Sequence, residues 1–108
     1  MLRAVFARTL KPGVTDEEFI QAWLPPGLTP DSYPSGVSIS HNITHQRQII
    51  SIFEVDTTPQ DFPEMLTSLV HPDSATRLAE IVESTQLEAV FEDTATFGSR
   101  QPLSKDGQ

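Results

Sequence analysis

Hydrophobic and polar positions along the chain fall into segments with distinct periods. Residues 2 to 10 carry Val5 and Phe6 among small and polar residues and run into Lys11-Pro12-Gly13, a turn signal that closes a strand. Thr15-Asp16-Glu17-Glu18 then sets a capping Thr three residues before a Glu, with Val14 and Phe19 at the spacing of a hydrophobic staple. A helix is therefore expected to start at Thr15. Phe19, Ile20, Trp23 and Leu24 form its apolar stripe, and Pro25-Pro26-Gly27 stops it. From Pro25 to Gly36 the chain is rich in Pro, Gly, Ser and Asp and reads as a loop, long for so small a domain.

Val37, Ile39, His41 and Ile43 alternate with Ser38, Ser40, Asn42 and Thr44, the period-two pattern of a second strand with one apolar face. His45-Gln46-Arg47 reads as a polar link. Beyond it, Ile49, Ile50, Ile52, Phe53 and Val55 fall on both parities, which predicts a third strand covered on both faces and paired to the second as a hairpin. Thr58-Pro59 and Asp61-x-x-Glu64 offer two starts for the next helix, and Pro63 favours the later one. Its stripe is Phe62, Met65, Leu66, Leu69 and Val70, and Pro72 interrupts it. A further helix buries Ala75, Leu78, Ala79 and Val82, capped by Asp73 or Ser74. Leu87, Ala89, Phe91, Ala95 and Phe97 share one parity and predict a fourth strand, with Asp93 interrupting its apolar face. No periodicity continues past Gly98, so residues 1 to 98 read as one domain and 99 to 108 as a flexible tail.

The order strand, helix, strand, strand, helix, helix, strand is that of an α+β, ferredoxin-like split βαβ fold, a four-stranded antiparallel sheet with helices on one face. If Ile49, Phe53 and Val55 point to the helices, Ile50 and Ile52 leave an apolar patch on the other face. A patch of that kind marks an interface, and a second copy of the chain would bury both in a closed homodimer.

The opening strand closed by Lys11-Pro12-Gly13, the Glu18-Phe19-x-x-Ala22-Trp23 helix, Arg47-Gln48-Ile49-Ile50 leading into the third strand, and the closing Phe91-Glu92-Asp93 strand form one pattern along the chain. In these segments the chain resembles the dimeric α+β barrel superfamily, which includes antibiotic-biosynthesis monooxygenases, haem-degrading monooxygenases and stress-responsive barrel proteins. The resemblance spans residues 2 to about 98 and implies a dimeric barrel with a pocket between sheet and helices or inside the barrel. It implies a small apolar or aromatic ligand, as for the members that oxidise aromatic substrates without metal or flavin. Other members bind haem, and many have no known activity. The Asn, Trp and His constellation of the haem-degrading members does not map onto this chain, whose first strand has no Asn and whose only Trp lies in the first helix. No cofactor is expected. A non-catalytic dimeric binding or accessory module is the alternative reading.

Composition narrows the classes further. Fifteen acidic against seven basic residues give a formal charge of -8, with no Lys or Arg cluster to track a phosphate backbone, so neither nucleic acid nor an anionic membrane is an expected partner. The chain has no cysteine, which removes disulfides, thiolate metal sites and a cysteine nucleophile. Arg3 and Arg8 interrupt the first residues before any signal peptide or membrane span could form, so a cytoplasmic location is expected.

Five residues carry candidate chemistry. His41 shares its parity with Val37, Ile39 and Ile43; it is a candidate catalytic base, its imidazole able to accept a proton near neutral pH, or else a packed histidine bonded to a backbone carbonyl. A metal shared with His45 is not expected, since four residue steps along a strand separate the two positions by about 13 Å. Arg8 lies on the parity of Phe6 and Leu10, and Asp93 on that of Phe91; with strands one and four adjacent, the two charges could meet as a ligand anchor or a structural pair. Trp23 and Tyr33 could line the mouth of a cavity between the first helix and the Pro-rich loop, or Trp23 could be core and Tyr33 exposed.

Overall fold

The computed structural model describes residues 1–27 and 36–98. Its order is β1 (Leu2–Leu10), α1 (Asp16–Trp23), β2 (Gly36–Asn42), β3 (His45–Val55), α2 (Phe62–Leu69), α3 (Ser74–Ile81) and β4 (Val82–Glu92). The strands form one antiparallel sheet in the order β2-β3-β1-β4, the ferredoxin-like arrangement that the element order implies. Tyr33 and the expected tail, 99 to 108, lie outside the described residues.

Helix α1 starts where the sequence places it. Thr15 Oγ1 accepts from the Glu18 backbone N–H at 3.1 Å, and Glu18 Oε1 accepts from the Thr15 backbone N–H at 3.2 Å, a complete capping box. Helix α2 takes the later of its two starts, with Pro63 in its first turn, where a missing N–H costs nothing. At α3, Asp73 holds the cap position but neither it nor Ser74 makes a side-chain cap. The Asp73 N–H instead donates to His71 Nδ1 at 2.9 Å.

Two boundaries differ from expectation. The β2–β3 turn falls at Ile43-Thr44, and His45-Gln46-Arg47 belongs to β3. Asn42 is the cause: its Oδ1 accepts from both the backbone N–H and the hydroxyl of Thr44 at 2.9 Å, closing a local Asx turn ahead of the polar link. Strand β4 runs over 82–92 rather than 87–97. It begins where α3 ends, because the Lys11 N–H donates to Ile81 O at 2.8 Å and Leu10 pairs with Val82, so β1 templates even the polar stretch Glu83 to Gln86. It stops where its template stops. Leu2 pairs with Glu92, and Ala95 and Phe97 fall past the end of β1, leaving Phe97 90% exposed.

The two sheet faces are unlike. On the helix side, Leu2, Ala4, Phe6 and Leu10 of β1 and Ile49, Phe53 and Val55 of β3 pack against Phe19, Ala22, Trp23, Phe62, Leu69 and Leu78. Phe6, Trp23 and Phe53 meet edge to face with centroids 5.0 to 6.0 Å apart, the arrangement that aromatic quadrupoles favour. On the opposite face the register aligns Val5 with Ile52 and Ala89, and Ala7 with Ile50 and Leu87. Among the described residues no helix covers that side: Ile50, Leu87 and Phe91 remain exposed.

Candidate ligand-binding cleft

Arg8 alternates with Phe6 and Leu10 and so points among the helices, where it is 7% exposed. Its guanidinium carbon lies over the rings of Phe6 at 4.7 Å and Trp23 at 4.3 Å. Aromatic faces attract the charge but offer no in-plane acceptor, and Nη1 has no hydrogen-bond partner, alone in this among buried side-chain nitrogens and oxygens of the described residues. Burial pushes the Arg8 pKa down from its ordinary value, and the charge of Glu88 opposes that shift. A bulge sits here as well: Ala7 pairs with Leu87 and Arg8 with Thr85, so Gln86 is left over and β4 bends beside Arg8.

Beside the bulge lies a cleft of about 300 Å³ between the end of α3 and the start of β4. Arg8 lines it together with Leu78 and Ala79 of α3 and Val82, Glu83, Ser84 and Thr85 of β4. Glu83 is engaged by Arg47 Nη1 at 3.5 Å, and the same nitrogen donates to Leu10 O at 3.0 Å. The cleft thus joins apolar Leu78, Ala79 and Val82 to the polar Ser84 and Thr85, the Glu83 carboxylate and the buried Arg8 cation.

The other sequence candidates lie apart from it. Asp93 does not meet Arg8; it accepts from Arg3 Nε at 3.1 Å, and Arg3 also pairs with Glu54 at 3.5 Å. Antiparallel pairing sets the late end of β4 beside the early end of β1, which is why Arg3 is the partner. The His41 side chain is 43% exposed, with Nδ1 3.0 Å from Asp16 Oδ2 at the start of α1, and not sequestered on an apolar face. Trp23 is core. Its Nε1 donates to the buried Ser51 Oγ at 3.1 Å, and it reaches the cleft only through Arg8. Sequence reasoning passed over Ser51 and the buried His71, neither of which carries a motif. Among the described residues there is no cluster of three His, Cys, Asp or Glu able to hold a metal, and no helix long and apolar enough to cross a membrane.

No protein-family model matches the chain, and no curated protein matches it in sequence. In structure it is similar to a protein from Chloroflexus aurantiacus J-10-fl, provisionally named an antibiotic biosynthesis monooxygenase, with a TM-score of 0.58 over 90% of this chain and 96% of that one. The two share an α+β, ferredoxin-like fold. At 12% identity the likeness extends to the fold alone. Within that fold, the uncovered sheet face and the Arg8 cleft lie on opposite sides of the sheet.

Proposed function

We propose that the protein is a cytoplasmic homodimer that binds a small apolar or aromatic molecule in the Arg8 cleft. The observation that carries the reading is a cleft of about 300 Å³, the lower end of the small-molecule range, lined by Arg8, whose buried Nη1 has no hydrogen-bond partner among the described residues. Dimerisation through the uncovered sheet face is supported by the apolar row of Val5, Ala7, Ile50, Ile52, Leu87, Ala89 and Phe91, which two copies would remove from water together. Binding rather than turnover is preferred because His41 lies on β2, with β3 and β1 between it and β4, and bonds to Asp16 outside the cleft.

A panel of phenols, quinols and aromatic acids, screened by thermal shift and in parallel by oxygen uptake, tests the reading. A ligand at 100 times its dissociation constant stabilises the fold by ~2.7 kcal/mol whether or not it reacts. Stabilisation without oxygen uptake indicates a binding module, and uptake indicates a monooxygenase. If no member stabilises the protein, the reading fails.

A further inference from the structure

We infer that the cleft selects an aromatic monocarboxylate, the Arg8 guanidinium receiving the carboxylate through its N–H edge while Leu78, Ala79 and Val82 hold the ring. The inference rests on the small-molecule reading above and adds the ligand's charge and shape.

A buried charged donor without an acceptor is an exception among native structures and needs a physical cause. Leaving such a donor unpaired is destabilising, and exchange for an apolar residue of similar size would remove the cost unless the donor has a use. Phe6 and Trp23 interact with the guanidinium through their ring faces and cannot accept from its edge. The planar N–H fork of arginine matches the two oxygens of a carboxylate, whereas a neutral carbonyl offers one oxygen and no compensating charge.

Two carboxylates narrow the class of anion. Glu83 lines the cleft, where Arg47 holds it at 3.5 Å, and Glu88 acts on the Arg8 charge without forming an ion pair with it. A dianion such as a phosphate monoester would meet both like charges with one cation to balance them. A single carboxylate matches the single guanidinium. Leu78 and Ala79 of α3 and Val82 at the start of β4 form the aliphatic part of the lining and suit the flat face of an aromatic ring.

Benzoate and benzamide share a shape and differ in charge, so chemical-shift titration of the 15N-labelled full chain with each at neutral pH tests the inference. Benzoate is expected to shift the amides of Leu78, Ala79, Val82 and Thr85 saturably, and benzamide to bind about tenfold more weakly or worse. Arg8→Met keeps an unbranched apolar stem, removes the charge and the N–H fork, and should reduce benzoate to the benzamide level. Because Arg8 is buried, Ala79→Leu serves as a second variant that fills the cleft from α3 and should abolish the benzoate response with Arg8 intact. Equal affinity for the two probes at these amides, or wild-type benzoate affinity in a folded Arg8→Met protein, overturns the carboxylate assignment and leaves the cleft standing. If neither probe moves these amides, both the assignment and the cleft reading fall.

Discussion

Trp23 Nε1 donates to Ser51 Oγ at 3.1 Å across the interface of α1 and β3, a hydrogen bond between two buried side chains. It settles the direction of the indole, and the indole in turn supports the Arg8 guanidinium. Ser51→Ala leaves the indole N–H without its acceptor in a dry setting, at a cost of about 1–3 kcal/mol. The melting temperature should fall by roughly 4–8 °C for each of those kcal/mol. An unchanged melting temperature would mean that the indole finds another acceptor.

Phe91 is 47% exposed on the face without helices, opposite Arg3 in the β1–β4 register. Phe91→Asp puts a third carboxylate beside Arg3, which Asp93 and Glu54 already share, and leaves the core of the protomer untouched; the surplus charge is costly once the second copy covers it. Light scattering should give about twice the 12.0 kDa chain mass for the wild type and the single-chain mass for the variant, with the circular dichroism of both alike. A wild-type protein that is monomeric at micromolar concentration refutes the dimer.

His41 bonds to Asp16 at the start of α1, on the β2 side of the sheet. His41→Gln should therefore leave benzoate binding at the Arg8 cleft unchanged within about twofold, an effect below 0.5 kcal/mol. Loss of binding in a folded variant would move the site to the β2 end and overturn its assignment to the seam of α3 and β4.

The elements were legible in the sequence wherever a local signal decided them. The Thr15 capping box needs only its own four residues, and the apolar run from Ile49 to Val55 marks β3 as a strand. Strand β4 was misplaced because Glu83-Ser84-Thr85-Gln86 has no apolar period. Its strand conformation is imposed by hydrogen bonding to β1, a long-range cause that local pattern does not record. The same limit governed the site. Arg8 was legible as an inward-facing charge, but its isolation from Asp93 follows from antiparallel register, and the cleft lies beside a bulge at Gln86 that no residue type announces. Ser51 shares β3 with large apolar residues, and only the position of the indole above it makes it significant.

The placement of Trp23 also makes the protein its own reporter. The chain contains one tryptophan, so its emission comes from a single, known environment. That indole is 5% exposed and lies 4.3 Å from the Arg8 guanidinium. Any anion that neutralises Arg8 changes the electric field at the ring without touching it, and with it the wavelength and yield of the fluorescence. Occupancy of the cleft can therefore be followed optically in unlabelled protein, including for ligands that absorb nothing and are never turned over.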